Sequence, residues 1–347
     1  MRFYTGQHRY YCGIDLHART MYLCILEHET GKVVLHRNLR CEPDLFLQAI
    51  APYRDDLLVG VECIFCWYWL ADLCTQEDIP FVLGHALYMK AIHGGKAKND
   101  KIDAHKIAVL LRGGAFPTAY VYPRGMRATR DLLRRRLFFV RRRSELFTHI
   151  RMTFHQLNLP APSGDFHHPR NRVGLADAIS DPVVRASVEA DLALATRLDE
   201  IIRSLELTIR RRVKIDDPET FERLQTIPGV GRILSLTLLY ELHDIGRFPR
   251  VQDFLSYARL VKSQKASAGK ITGTSGAKIG NAHLKWAYSE AAVLFLQKNP
   301  PGQKLINRLR SKHGRGKALS ILAARLGRAS YYMLRRSTAF DMDRFIN

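Results

Sequence analysis

The order of strand-like and helix-like segments in the first 120 residues is the strongest constraint on the fold. Five segments have the alternating or continuous apolar content of strands: 10–18, 20–28, 32–39, 57–62 and 80–86. Three segments have helical character: 43–53, 66–76 and 99–114. This order, βββαβαβα, predicts an α/β domain with a mixed sheet at 1–123.

Residues 124–216 have the composition of a basic helical arm. Nine arginines fall within 124–143, interleaved with leucine and phenylalanine, which predicts a long amphipathic helix with a basic face. A second helical segment spans about 181–214, and a loop separates the two. We expect the helices to pair as a coiled-coil-like arm, although no strict heptad repeat runs through them.

The remaining residues, 217–347, predict a domain made of helices only. Two helices flank Pro228-Gly229-Val230-Gly231, the pattern of a helix-hairpin-helix. Gly229 and Gly231 would permit a tight turn and present backbone N–H groups to a phosphate. An ordinary turn between two helices fits the same residues. A stretch rich in glycine, serine and lysine follows at 261–281, and helices continue to about residue 336.

The distribution of charge points to a polyanionic partner. The first 120 residues hold 13 basic and 13 acidic side chains, so the net charge of +21 lies entirely in the residues that follow. Much of the excess is arginine, which suits bidentate phosphate contacts; a basic surface that serves only solubility is the alternative. The candidate nucleic-acid-binding residues are Arg134, Arg135, Arg136, Arg141, Arg142, Arg143, Gly229, Gly231, Lys265 and Lys270.

The cysteines and the absence of long apolar runs bear on the compartment. All six cysteines lie within the first 74 residues, and Cys63 and Cys66 alone have the spacing of half a zinc site. They lie in an apolar run, so we expect buried free thiols and a reducing compartment. No stretch approaches the ~18 consecutive apolar residues of a membrane span, and residues 1–17 lack the apolar core of a signal peptide. The sequence predicts a soluble cytoplasmic protein without a membrane partner.

Four carboxylates occupy positions that a sheet and a helix could bring together. Asp15 interrupts an apolar strand and faces away from its apolar neighbours, and Glu62 ends another strand. Asp100 and Asp103 lie three residues apart at the start of a helix, on one face. If the two strands are neighbours, Asp15 and Glu62 point to one place, and a helix packed on the sheet could add the other two.

Such a cluster of carboxylates requires cations. Oxygen ligands suit Mg²⁺ or Mn²⁺, and two such ions about 4 Å apart can stabilise both the attacking and the leaving oxygen in phosphodiester cleavage. Taken singly, Asp100 could be a favourable charge at a helix start and Asp103 a solvated surface charge.

The motifs GIDLH, VGVE and KNDKIDAHKIA, in this order and spacing, resemble the DEDD transposases of bacterial insertion sequences, the family that also contains the Piv DNA invertases. LQTIPGVGRILSLTLLYEL and KASAGKITGTSGAKIGNAHLKWAYSEAA resemble that family's C-terminal domain. The resemblance covers most of the chain. It implies that residues 1–123 form a RuvC-like (RNase H-like) catalytic domain, 124–216 the arm and 217–347 the transposase domain.

The resemblance assigns roles to individual residues. Asp15, Glu62, Asp100 and Asp103 match the four acidic, metal-binding positions, and Ser267 matches the serine proposed as the nucleophile. A serine nucleophile would conserve the energy of the cleaved strand as a phosphoserine until the strand is rejoined. Two departures lie nearby, since Ala268 stands where a glycine is usual and Lys285 replaces a common arginine. Ser263 and Ser275 are alternative nucleophiles.

The resemblance also implies partners. These are target and donor DNA, a noncoding bridge RNA that pairs with both, and further copies of the chain in a tetramer arranged as a dimer of dimers, associated with the bacterial nucleoid. Two alternatives compete with this interpretation. One is a RuvC-like nuclease or junction resolvase in which water attacks, and the other is an inert nucleic-acid-binding scaffold, which the four carboxylates argue against.

Overall fold

A computed structural model describes residues 2–92, 99–160, 164–262, 265–267, 269–273 and 279–346. The chain divides into two compact units, Met1–Arg124 and Gly125–Asn347. Among the described residues, no helix is long and apolar enough to cross a membrane.

A mixed sheet forms the centre of the first unit. The strands described there are β1 (Phe3–Tyr4), β2 (Tyr10–Leu16), β3 (Thr20–Glu27), β4 (Val33–Arg40), β5 (Leu57–Glu62), β6 (Phe81–Gly84) and β7 (Phe116–Ala119). Their order across the sheet is β1-β7-β6-β5-β2-β3-β4, with β2, β5 and β6 parallel and the other pairs antiparallel. The prediction of an N-terminal mixed sheet followed by many helices is therefore confirmed.

Two strands at one side of the sheet escape sequence prediction. β1 has two residues, and β7 has four, of which Pro117 lacks a backbone N–H. β1 is too short to show an alternating pattern, and Pro117 interrupts the apolar content of β7, which pairs with both β1 and β6. The five strands that the sequence does predict include the longest in the sheet.

Helices cover both faces of this sheet. They are α1 (Pro43–Ile50), α2 (Tyr68–Gln76), α3 (Ala86–Ile92) and α4 (Asp100–Arg112). The face that carries Ile14 and Leu16 packs with Phe46 of α1 and Leu70 of α2, all of them buried. α4 packs on the opposite face.

Two glycines let α4 approach the sheet closely. A Cβ on Gly13 of β2 would lie 2.3 Å from the backbone N of Ala108 and 2.4 Å from the carbonyl O of Ala104. Its register partner on β5 is Gly60, where a Cβ would lie 2.7 Å from a methyl group of Leu111. The helix therefore crosses the two central strands at a glycine pair, and its first turn lies towards their carboxyl ends.

Two long helices begin the second unit, α5 (Arg124–Gln156) and α6 (Pro182–Asp216). They run antiparallel, because Arg136 pairs with Glu206 and Arg143 with Asp199. The connection between them is packed rather than open, since Phe166 is fully buried beside Phe147. The predicted helix pair is thus present.

The helices that follow surround α8. The described elements are α7 (Pro218–Gln225), α8 (Arg232–Leu242), α9 (Val251–Tyr257), β8 (Lys265–Ser267), β9 (Lys270–Gly273), α10 (Ala282–Leu294), α11 (Pro300–His313), α12 (Arg315–Arg336) and α13 (Met342–Ile346). Every residue of α8 from Leu234 onward is buried. Leu133 of α5 and Ile209 of α6 belong to the same core as Leu239 and Phe254, so the near ends of the long helices pack with the C-terminal helices.

Candidate active site and nucleic-acid interface

Asp15 and Glu62 lie at the carboxyl ends of the two central strands. β2 and β5 are parallel neighbours, and the last pair in their register is Ile14 with Val61. The next residue on each strand is Asp15 and Glu62, so the two share one face of the sheet. That is the face of Gly13, against which α4 packs. The Asp15 side chain is 20% exposed and Glu62 is half-buried.

The start of α4 supplies the second pair of acidic residues. The side chain of Asn99 accepts a hydrogen bond of 2.8 Å from the backbone N–H of Ile102, which starts the helix at Asp100. Asp100 and Asp103 lie in the first turn. Lys106 lies 3.4 Å from a carboxylate oxygen of Asp103, one turn along the helix.

His17 brings Asp15 and Asp100 into one cluster. Its Nε2 lies 3.4 Å from Oδ2 of Asp15 and 3.5 Å from Oδ1 of Asp100. One potential ligand atom from each of the three residues lies within 4.8 Å of the others. The sequence analysis did not assign His17 to the site. The position of His17 two residues after Asp15 was the one sequence signal that could have placed it there.

Excess negative charge characterises this cluster. Burial raises the pKa of Asp15, the nearby charges of Asp100 and Asp103 raise it further, and His17 acts in the opposite direction. Carboxylates that disfavour one another's ionised form in this way gain stability from a bound cation.

The candidate nucleophile Ser267 lies in a short hairpin of the second unit. β8 pairs with β9 in antiparallel fashion, with Ser267 opposite Lys270, and Gly269 in the turn has a φ of +76°. Both Ser267 and Lys270 are exposed. Lys265 lies in β8, but its side chain is outside what is described, and Ser263 and Ser275 lie outside the described residues.

Residues 279–281, which lead from the hairpin region into α10, are held by several polar contacts. Arg259 donates from Nε to the carbonyl oxygens of Ile279 and Gly280 at 2.9 and 3.0 Å. The backbone N–H of Asn281 donates to the carbonyl of Tyr257, and the Asn281 side chain caps α10. The Asn281 amide also donates to Glu241 at 2.8 Å.

Glu241 is the centre of a buried polar network that the sequence did not reveal. Its side chain is 1% exposed, and it accepts hydrogen bonds from Arg130 and Arg134 of α5 as well as from Asn281. The network joins α5, α8 and the start of α10. One residue predicted to bind nucleic acid, Arg134, is therefore held by a carboxylate of the protein.

The six arginines predicted to bind nucleic acid fall into two groups. Arg134, Arg136 and Arg143 are partly buried and pair with Glu241, Glu206 and Asp199 respectively. Arg135, Arg141 and Arg142 are exposed. The exposed group therefore fits phosphate binding better, and the first group holds helices together.

Gly229 and Gly231 differ in their surroundings. Gly229 has a φ of +79°, and a Cβ there would lie 2.4 Å from the backbone N of Phe295, so it packs against the end of α10. Gly231 precedes α8 and has nothing within 4 Å of such a Cβ. The turn between α7 and α8 thus exists, with one glycine serving packing and the other facing open space.

Comparison with known proteins identifies related chains. Residues 12–158 match a family model for DEDD transposases of the IS110 type, described as a transposase, and residues 221–307 match one described as the transposase IS116/IS110/IS902 family. A transposase for insertion sequence element IS1111A of Coxiella burnetii is 23% identical over 335 residues, which cover 94% of this chain and 90% of that protein.

Two further relatives match smaller parts of the chain. A transposase for insertion sequence element IS1328 of Yersinia enterocolitica is 27% identical over 152 residues, 43% of this chain and 44% of that protein. An uncharacterised 43.6 kDa protein of insertion element IS110 of Streptomyces coelicolor is 30% identical over 122 residues, 34% of this chain and 29% of that protein. The first match includes all four acidic positions and extends into α5, the second includes Ser267, and the chain therefore belongs to the IS110 family of DEDD transposases.

Proposed function

We propose that this transposase cuts and rejoins DNA strands by means of a divalent metal site formed by Asp15, Glu62, Asp100 and Asp103 and a serine nucleophile, Ser267. The observation that carries the proposal is the convergence of Asp15 and Asp100 beside His17, with ligand atoms within 4.8 Å of one another. Glu62 shares the sheet face of Asp15, and Asp103 lies in the same helical turn as Asp100.

The residues of this cluster fit a hard divalent cation. Their donors are mainly carboxylate oxygens, which suit Mg²⁺ or Mn²⁺. The pKa of Asp15 is raised by burial and by its acidic neighbours, so the cluster favours a bound positive charge. When bound, such ions supply charge stabilisation for phosphoryl transfer. His17, between Asp15 and Asp100, would orient the two carboxylates.

Ser267 would perform the strand transfer itself. Its hydroxyl oxygen forms a bond to the scissile phosphorus and loses its proton, while the bond from phosphorus to the leaving deoxyribose oxygen breaks and that oxygen gains a proton. Attack by a deoxyribose hydroxyl on the phosphoserine reverses these changes and rejoins a strand. The exposed position of Ser267 in a hairpin beside Lys270 is compatible with access to DNA.

The proposal extends to partners and assembly through the family. Target and donor DNA would be paired by a bridge RNA, held through its backbone by basic residues of the second unit, whereas base pairing would provide sequence specificity. The chain would act as a tetramer, a dimer of dimers, in which the Ser267 hairpin of one subunit completes the carboxylate site of another. A RuvC-like fold for the first unit, a DNA-binding helix-hairpin-helix at Gly229 and Gly231, and a location at the bacterial nucleoid belong to the same proposal.

The metal site is tested by Asp15→Asn in a plasmid recombination assay that uses the intact element with its flanking DNA. We expect recombinant junctions to disappear and the binding of Mn²⁺ by the purified protein to weaken at least tenfold. Asp44→Asn is the matched control, because Asp44 is an exposed acid in the first turn of α1. Recombination by Asp15→Asn at the rate of the control would exclude the site.

A further inference from the structure

A cavity of about 270 Å³ lies in the second unit, between α12 and the chain that follows it. Its apolar lining includes Met333, Phe340 and Phe345, and Tyr332 stands at its side with 38% of its surface exposed. The volume is close to the ~300 Å³ at which small-molecule pockets begin. None of the carboxylates, arginines, lysines, glycines or serines named as candidate site residues lines it.

The walls of this cavity are held by the protein's own hydrogen bonds. α12 ends at Arg336, and its C-cap residue Ser337 has a φ of +53°, where the chain turns back. Arg325 donates from Nη2 to the carbonyl of Phe345 at 2.8 Å, which fixes α13 against α12. The backbone N–H of Phe340 donates to Oγ1 of Thr226 at 2.8 Å. The pocket is therefore formed before any ligand arrives.

Four arginines line the cavity, and no acidic side chain among the described residues pairs with them. They are Arg325, Arg328, Arg336 and Arg344. Within the described part of the chain, no carboxylate forms an ion pair with any of them, in contrast to Arg134, Arg136 and Arg143 of α5. The acidic residue in the lining is Asp341, whose Oδ1 accepts the backbone N–H of Arg344 at 3.0 Å. The pocket thus carries a surplus of positive charge.

The lining combines two kinds of recognition. Guanidinium groups pair with phosphate oxygens, and an exposed aromatic ring stacks on a nucleobase. Arg336 lies over the Tyr332 ring, 5.1 Å from its centroid, so cation and ring are adjacent. A ligand that is only an anion would make no contact with the apolar residues of the lining. A base that is paired inside a duplex could not enter the cavity.

We propose that this pocket binds one unpaired nucleotide of a nucleic-acid strand, with its phosphate against the arginines and its base against Tyr332. The inference rests on the proposed function, in which the chain holds DNA strands and a bridge RNA that pairs with them. It adds a place where such a strand is held, distant in sequence from the carboxylates and from Ser267.

Binding of a labelled five-nucleotide single strand to the full chain tests the proposal, measured by fluorescence anisotropy with DNA and RNA versions of the probe. Tyr332→Ala should weaken binding by about 5-fold to 150-fold, the range for loss of one base–aromatic stack. Arg328→Gln with Arg336→Gln should weaken binding and lower the slope of log affinity against log salt by ~0.7 for each phosphate that is no longer neutralised. Thermal unfolding checks that the variants remain folded.

The matched control is Arg197→Gln with Arg203→Gln, which removes the same charge from exposed positions on α6. An equal loss of affinity in this control, or binding by Tyr332→Ala within twofold of wild type, would overturn the proposal. AMP that binds as tightly as the five-nucleotide strand would also overturn it, because the pocket would then serve a free nucleotide.

The outcome is separable from that of the proposed function. If the pocket variants lose strand binding, the proposed nucleotide pocket is supported, even if Asp15→Asn still recombines DNA and the proposed metal site is thereby excluded. Normal strand binding in them overturns the pocket alone.

Discussion

Replacement of Glu241 by alanine should destabilise the second unit more than any change to a surface ion pair. Glu241 is 1% exposed, and the Arg130 side chain that it neutralises is 10% exposed. The variant removes the buried carboxylate that accepts hydrogen bonds from Arg130, Arg134 and Asn281. Removal of one partner from a buried ion pair costs about 3–5 kcal/mol.

Differential scanning calorimetry of the full chain measures this destabilisation. The second unit spans 223 residues, Gly125–Asn347, a size at which 1 kcal/mol shifts Tm by about 2–4 °C. We therefore expect its transition to fall by roughly 6–20 °C. Glu241→Gln keeps one acceptor oxygen and the side-chain volume, so its Tm should lie between those of wild type and Glu241→Ala.

Glu145→Ala is the matched control for Glu241→Ala. Glu145 is 60% exposed and pairs with Arg142, which is 56% exposed; such surface pairs contribute about 0–1 kcal/mol. If Glu241→Ala and Glu145→Ala lowered Tm equally, the buried network around Glu241 would not stabilise the unit beyond the level of a surface pair.

Three further predictions concern pH, packing and salt. Burial raises the pKa of Glu241, but Arg134 and Arg130 outweigh the effect of burial and hold the pKa below 4.5. The contribution of Glu241 to stability is therefore present above pH 4.5 and is lost as the pH falls through the folded pKa. Urea unfolding between pH 3 and 6 should show a steeper decrease in the free energy of unfolding for wild type than for Glu241→Gln. Gly13→Ala should lower the unfolding free energy by about 1–3 kcal/mol or more, because its Cβ meets backbone atoms of α4, and an unchanged Tm would refute the close packing. Replacing the exposed Arg135, Arg141 and Arg142 by glutamine should reduce the salt slope of duplex binding by ~0.9 for each phosphate that these side chains neutralise, whereas an unchanged slope would assign them to solubility.

Much of the first unit was predictable because its signals are local. The five predicted strands alternate or form continuous apolar runs. The sequence brings Asp15 and Glu62 together only on the condition that their strands are neighbours, and the parallel pairing of β2 with β5 meets that condition. β7 was missed because it has four residues and contains Pro117. His17 was not assigned to the site, since its contact with Asp100 depends on how α4 packs.

Long-range ion pairs were the main part of the second unit that sequence could not predict. A basic helix face looks the same whether its arginines meet phosphates or carboxylates of the same chain, and Arg134 and Glu241 are 107 residues apart. The helices themselves were predictable from periodicity, including α5 and α6. The roles of Ser267 and of the four carboxylates in catalysis stay predictions, as does the division of residues 124–347 into an arm and a transposase domain.

The most direct test of the proposed chemistry is whether the protein forms a covalent bond to cleaved DNA. End-labelled DNA that contains the element's junction, incubated with protein, bridge RNA and Mg²⁺, is resolved on a denaturing gel. We predict a protein-linked band for wild type and for Ser311→Ala, which changes an exposed serine on α11, and no such band for Ser267→Ala or Asp15→Asn. Cleaved DNA without a protein-linked band in wild type would mean that water attacks, as in a nuclease or junction resolvase, and a band of normal intensity in Ser267→Ala would assign the nucleophile to another residue.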